Sequence, residues 1–145
     1  MQYLPVKLLK PNATLPANAT AGSAGYDISA CLDCDVVIEP DETKSIATGF
    51  AIALEHGWAA FIYARSGLGI KHGIIPANCV GVIDSDYRGE IIVGLKNTSA
   101  LPFVIKNGDR IAQMVISKYS LPIPTSVDSL PETERGSGGF GSTGR

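Results

Sequence analysis

Short runs rich in β-branched and aromatic residues recur along this chain, and nearly every one is bounded by residues that favour turns. Val36 to Glu39, Lys44 to Phe50, Trp58 to Ala64, Glu90 to Asn97, Phe103 to Ile105 and Ile111 to Tyr119 predict strands. Between them, Glu55-His56-Gly57, Asp86-Tyr87-Arg88-Gly89 and Lys106-Asn107-Gly108-Asp109 predict turns. Asn107-Gly108 in particular predicts a hairpin, because both residues tolerate positive φ. A helix of one or two turns is expected only from Ser66. The expected fold is therefore all-β, a barrel or jelly roll of antiparallel strands, since such sheets must close or pair to hide their edges.

The pattern changes at Leu121. Pro122, Pro124 and Pro131 punctuate a polar stretch, and Arg135 to Arg145 holds five glycines, two arginines and one aromatic residue. A chain of 145 residues with 45% hydrophobic content supports one domain. The expected organisation is a β-barrel core over 1–120, an extended arm over 121–134 that crosses to a neighbouring subunit, and a glycine-rich lid over 135–145.

A net charge of −2 provides no basic field for a nucleic-acid backbone or an anionic membrane, so phosphate chemistry would need local positive charge. Met1 to Lys10 lacks the basic start and apolar stretch of a secretion signal, and the longest apolar run, Trp58 to Ala64, cannot span a bilayer. A soluble, cytoplasmic protein is expected. Three cysteines do not make a disulfide framework, and Cys31 and Cys34 form a lone CxxC without a second pair or nearby histidines, which reads as two reduced thiols near a strand. The glycosylation-type triplets at Asn12, Asn18 and Asn97 matter only in a secretory compartment and are read as chance.

Three segments carry chemistry. Ala64-Arg65-Ser66-Gly67-Leu68-Gly69 follows a strand and enters the helix, so Ser66 can cap it while the free N–H groups around Gly67 form an anion nest beside Arg65. An ordinary capped turn is the alternative. Asn78 to Glu90 reads as a β-hairpin with an acidic turn. Gly81 would admit a planar ligand to the backbone, and Asp84 and Asp86 share a strand face if the extended conformation continues, which leaves a metal-binding DxD pair or a solvated acidic turn as rivals. The tail from Arg135 lacks the lysine, the following Ser/Thr and the preceding strand of a P-loop. Its aromatic ring, two guanidiniums and free backbone donors suit a lid over a stacked base and a polyphosphate, and a tail without function is the alternative. Asp27 and Gln113 stand as single polar residues within apolar strands, where such groups are usually satisfied internally.

Read together, five ordered segments resemble the five motifs of the homotrimeric dUTPase family: Ala21-Gly-Ser-Ala-Gly-Tyr-Asp-Ile-Ser-Ala30, Ala64-Arg-Ser-Gly-Leu-Gly69, Asn78 to Gly89, Arg110-Ile-Ala-Gln-Met-Val115 and Arg135-Gly-Ser-Gly-Gly-Phe-Gly-Ser142. Ala64 departs from the proline that many members carry there. The resemblance implies a jelly-roll-like fold, a homotrimer with shared active sites, and hydrolysis of dUTP to dUMP and pyrophosphate, which keeps uracil out of DNA and supplies dUMP for dTMP synthesis.

By the same resemblance, Asp84 is the general base for the water that attacks the α-phosphorus. Asn78 with the backbone of Gly81, Val82 and Ile83 reads uracil, Tyr87 packs on the deoxyribose, and Ile92 closes the pocket floor. Arg65, Ser66, Gly67 and Gln113 hold the phosphate chain. Phe140 stacks on the base, while Arg135, Gly141 and Ser142 clamp the terminal phosphate. Mg²⁺ is held mainly by the triphosphate, with Asp27 reaching its waters. The rivals are a dCTP deaminase of the same fold, a non-catalytic nucleotide-dependent binding protein and a DxD transferase.

Overall fold

Along the strand Ile92–Asn97, Val93, Leu95 and Asn97 are buried while the residues between them face outward, the period of two that places one face of a sheet on a core. The same logic builds the rest of the computed structural model, which describes residues 3–139. In chain order the elements are β1 (Val6–Leu8), β2 (Tyr26–Ser29), β3 (Val36–Ile38), β4 (Thr43–Ala47), β5 (Phe50–Ile52), β6 (Trp58–Tyr63), α1 (Ser66–His72), β7 (Ile74–Pro76), β8 (Gly81–Ile83), β9 (Ile92–Asn97), β10 (Phe103–Ile105) and β11 (Arg110–Lys118).

The strands pair antiparallel as a four-stranded sheet in the order β2-β11-β6-β8, a three-stranded sheet β4-β9-β7, and two ribbons, β1-β5 and β10-β3. All four contribute to one core, with Ile28, Ile38, Ile46, Phe50, Ala60, Leu95, Ile105 and Met114 fully buried. This is the jelly-roll-like all-β fold expected from the strand pattern, although pairing among the described residues does not run on into a closed barrel.

Three local expectations are corrected. Lys44 to Phe50 is not one strand: it breaks at Thr48-Gly49, where Gly49 takes φ 71° and the chain leaves β4 for the ribbon partner of β1. The segment over 78–90 is not a hydrogen-bonded hairpin, because β8 pairs with β6 while β9 pairs with β4 and β7. Lys106 to Asp109 is likewise a corner between sheets, with β10 on β3 and β11 on β2 and β6. There only Gly108 of the Asn107-Gly108 pair has positive φ, at 84°. Its N–H donates to Ala30 O at 2.8 Å and Asn107 Oδ1 accepts from Leu32 N at 3.0 Å, so the corner is fixed by a third segment rather than by its own strands. Two short strands, β1 and β7, were not expected.

After β11, Tyr119 N donates to Gly57 O at 3.1 Å, and from there residues 121–137 are exposed throughout.

Gly49 holds the tightest of these corners: a Cβ there would lie 2.6 Å from Cys31 Sγ and 2.7 Å from Ala13 Cβ. Positive φ alone costs a non-glycine residue about 1–3 kcal/mol, and the clash adds to it. Gly49→Ala is therefore expected to lower unfolding free energy by at least that amount in urea titration; an unchanged midpoint and slope would contradict this packing.

Candidate active site

The residues singled out in the sequence gather into two groups on the folded chain. The first is built where β6 ends and α1 begins, against β2 and β11. Adjacent antiparallel strands put Asp27 opposite Gln113 and Gln113 opposite Tyr63, so β11 lies between the Asp27 strand and the strand that delivers Arg65. Arg65 Nε donates to Asp27 Oδ1 at 2.8 Å, and Arg110 Nη1 donates to Asp27 Oδ2 at 3.0 Å. One carboxylate therefore sits between two guanidiniums, and Arg65 is held a second time by Nη1 donating to Arg110 O at 3.1 Å. Gln113 Nε2 donates to Ala64 O at 2.9 Å, which anchors the residue just before Arg65. The site of the Ala64 departure thus contributes its carbonyl, an atom that proline would also supply.

Ser66 is not the helix cap. Arg65 occupies that position in an extended conformation, φ −88° and ψ 130°, with no side-chain cap bond, and Ser66 is the first helical residue. Leu68 N and Gly69 N donate back to Arg65 O at 3.0 and 2.8 Å. The N–H groups of Ser66 and Gly67 belong to the first turn, which has no preceding carbonyls to bond within the helix. Both residues are exposed.

The second group lies along β8 and the loop that leaves it. Among the described residues β8 pairs with β6 on one side only, which leaves its other edge without a strand partner. Asn78 precedes it in a turn, and its amide lies over Gly81: a Cβ on Gly81 would come 3.3 Å from Asn78 Nδ2 and 3.2 Å from Ile62 Cβ. Cys79 between them takes φ 62°, a conformation uncommon for a residue with a side chain. A cavity of about 230 Å³ is lined by Asn78, Gly81, Val82, Ile83, Ile92 and Gly94, among others. Beside it, sharing Val82, Ile83 and Ile92, a second of about 190 Å³ is lined also by Asp84, Tyr87 and Glu90.

The extended conformation ends at Ile83, so Asp84 stands at the strand end and Asp86 in the turn beyond it. That removes the shared strand face on which a DxD pair would depend. Among the described residues no cluster of three or more His, Cys, Asp or Glu is placed to hold a metal ion. Tyr87 folds back over Gly89, where a Cβ would lie 2.4 Å from the phenol oxygen, and its hydroxyl donates to Glu90 O at 2.9 Å.

The two groups share no hydrogen bond among the described residues. Arg135 joins neither: it is exposed in the arm, with Nε donating to Gly138 O at 2.8 Å. Phe140, Gly141 and Ser142 lie outside the described residues. Arg110 and Glu90 were quoted in the sequence motifs without a role. The only sign of them was a charged residue at the end of an apolar strand, beside Ile111 and Ile91 respectively.

A family model described as dUTPase matches residues 11–144. The chain belongs to the dUTPase family. It is 55% identical over 131 residues to the deoxyuridine 5'-triphosphate nucleotidohydrolase of Desulfitobacterium hafniense, covering 90% of this chain and 87% of that one. It is 51% identical to the enzyme of the same name from Burkholderia cenocepacia, over 90% and 89% of the two chains. In structure it is similar to the dUTPase of Staphylococcus bacteriophage 80alpha solved with dUpNHpp, with a TM-score of 0.92, 29% identity and full coverage of both chains. It is also similar to a point mutant of the dUTPase from the Staphylococcus aureus phage phi11, described with a structural Mg(II) ion, with a TM-score of 0.83, 26% identity and coverage of 90% and 100%. The fit to these dUTPases thus extends over the strands and the corners that position both residue groups.

In this dUTPase the Asp27 carboxylate is 18% exposed and the Arg65 side chain 25%, against 56% for Arg110. A partly buried carboxylate between two cations resists loss of either partner, although solvent at Arg110 weakens that contact. A double-mutant cycle with Asp27→Asn and Arg110→Met should give a coupling energy of about 1–2 kcal/mol in urea unfolding; additivity of the two changes would mean that the pair is not energetically linked.

Proposed function

We propose that this chain hydrolyses dUTP to dUMP and pyrophosphate by attack of a water on the α-phosphorus, with Asp84 as general base. The observation that carries this reading is the bare edge of β8 running straight into Asp84. An unpaired strand edge presents fixed N–H and C=O groups in alternation. Together with the Asn78 amide over Gly81 they suit the donor and acceptor pattern of a uracil edge, whereas cytosine offers the reverse and would leave buried partners unpaired. Val82 and Ile92, 54% and 55% exposed on the chain alone, are the apolar walls such a base would cover, and Tyr87 stands where a deoxyribose would follow. Asp84 follows directly on the strand end, where it would meet the water that attacks the innermost phosphorus.

The triphosphate needs positive charge and backbone donors, and the chain's overall charge does not supply them. Arg65 does, aimed by Asp27 and the Arg110 carbonyl, with the first-turn N–H groups of Ser66 and Gly67 beside it. Gln113 has one amide hydrogen on Ala64 O and a second for a phosphate oxygen. The residues named here offer hydrogen-bond donors rather than metal ligands, so Mg²⁺ would be held by the phosphate oxygens and would neutralise charge on the leaving group. Both Asp27 oxygens already accept from guanidiniums, so this carboxylate would reach the ion's waters through its remaining lone pairs.

Because the two groups are separate on one chain, we infer that the working site combines copies, in a homotrimer. The arm supports this: Leu121, Ile123, Val127 and Leu130 are 74%, 88%, 60% and 81% exposed, apolar surface that a neighbouring subunit would cover. It would carry Arg135 to that neighbour's site, with Phe140 on the base and Gly141 and Ser142 on the terminal phosphate. The domain organisation follows as core, crossing arm and lid. The substrate pool for this reaction argues for a cytoplasmic enzyme, and no helix of the described residues is long and apolar enough to cross a membrane.

Release of pyrophosphate from dUTP in magnesium, with dCTP, dTTP and UTP in parallel, tests the assignment. Turnover restricted to dUTP is expected, and turnover of dCTP with ammonia release would instead indicate a deaminase. Asp84→Asn should lower kcat about 10²–10⁴-fold with substrate binding largely kept; near-normal turnover would exclude Asp84 as the base. Deletion of residues 135–145 should lower kcat about 10³-fold or more and leave the unfolding curve in place, whereas full activity of the truncated chain would rule out a lid.

A further inference from the structure

We propose that Glu90 is a positioning residue that sets the Asp84–Tyr87 loop against the opposite sheet; the inference rests on the reading of Asp84 above. The leading end of the loop is fixed by β8 on β6, but the returning end reaches Glu90 and Ile91 before β9 begins at Ile92. These two residues are fastened to the corner between β4 and β5 instead. Glu90 Oε1 accepts from Gly49 N at 2.7 Å, Ile91 N donates to Phe50 O at 2.9 Å, and Thr48 Oγ1 donates to Ile91 O at 2.6 Å.

Thr48 is fully buried, and Gly49 has no freedom to turn its amide elsewhere at φ 71° with Cys31 and Ala13 packed against it. The anchor is therefore rigid, and the bond to the carboxylate is charge-assisted. From Glu90 the restraint passes back up the loop: Tyr87 Oη donates to Glu90 O at 2.9 Å, and Tyr87 N donates to Asp84 O at 3.2 Å. Glu90, Tyr87 and Asp84 line one cavity, yet the bonded Glu90 oxygen faces the backbone of another segment and not the cavity alone. Its effect on the reaction thus runs through Tyr87 and Asp84. Removing it loosens the loop's returning end, which keeps only the two bonds at Ile91, and leaves the Gly49 amide without its acceptor.

The test compares Glu90→Ala, Glu90→Gln and Thr48→Val in the full chain. Urea unfolding identifies conditions in which each is folded, and steady-state kinetics are run on dUTP and UTP. Glu90→Ala is expected to lower kcat about 10–100-fold, with KM for dUTP moving less, and to reduce the preference for dUTP over UTP because the residue 90 carbonyl that holds Tyr87 is no longer fixed by the side chain. Glu90→Gln keeps an Oε1 acceptor and should restore both kcat and preference to within about threefold of the parent. Thr48→Val removes only the bond to Ile91 O and should shift the same two readouts in the same direction.

A Glu90→Ala protein with parental kcat and preference overturns the inference, as does Glu90→Gln falling as far as Glu90→Ala. If Glu90→Ala does not fold, Thr48→Val decides, and parental values there overturn it. The parent and Asp84→Asn separate the two levels: a parent inactive on dUTP sinks the functional reading. An active parent with an inactive Asp84→Asn and a normal Glu90→Ala sinks this inference alone.

Discussion

Strand β8 has one neighbour and one bare edge, and the chain that leaves it crosses to another sheet before it is paired again. Most of what this protein can do depends on that arrangement. A hairpin would satisfy its own backbone and could shift as a unit, whereas a corner between sheets is held at both ends by strands that belong to the core. A bare edge is normally a hazard, because it invites pairing with another chain. Here the edge is only three residues long, bounded by Val80 and Asp84, and the cavities beside it hold about 190 and 230 Å³. A planar group with donors and acceptors on one side is the better fit.

Charge is handled as locally as shape. The chain is slightly acidic, so it cannot collect a polyphosphate by its general field. The Asp27 carboxylate makes a cationic spot by orienting cations rather than by adding them: with its own charge compensated by Arg65 and Arg110, the cluster keeps one net positive charge and a fixed guanidinium. Such preorganisation matters more to catalysis than raw attraction, because the donors need not reorganise as charge develops.

The strand runs were legible because one face of each sheet meets the core, which imposes a period of two on β9, and because β6 and β11 are long runs rich in apolar residues. What the pattern could not show is which strand pairs with which. Asn107-Gly108 and Asp86 to Gly89 look like hairpin turns because the local backbone does turn there, while the flanking strands β8, β9, β10 and β11 take their partners elsewhere, from Gly81 with Ile62 to Met114 with Tyr26. Thr48-Gly49 was hidden for a related reason: threonine suits a strand, and the break is visible only in the crowding of Cys31 and Ala13 around Gly49. The strands β1 and β7 have three residues each, as β3 and β10 do, but each has a proline at its start or end, Pro5 before β1 and Pro76 closing β7, which argues against a strand. The five motifs sufficed to identify the family, whose model matches residues 11–144. Arg110 and Glu90 went without a role because each acts through a partner distant in sequence, Asp27 and Gly49.

The separation of the two residue groups also bears on why the arm is exposed. β8 and the strand that delivers Arg65 are neighbours in one sheet, yet Arg65 and Asp84 line different cavities. Each is held by short corners, and on the proposed reading the joining of the site falls to association. Ordering the arm then costs entropy only when a neighbour's surface is available to cover Leu121, Ile123, Val127 and Leu130. On this argument the proposed homotrimer is the means by which rigid, separately built surfaces would become one pocket.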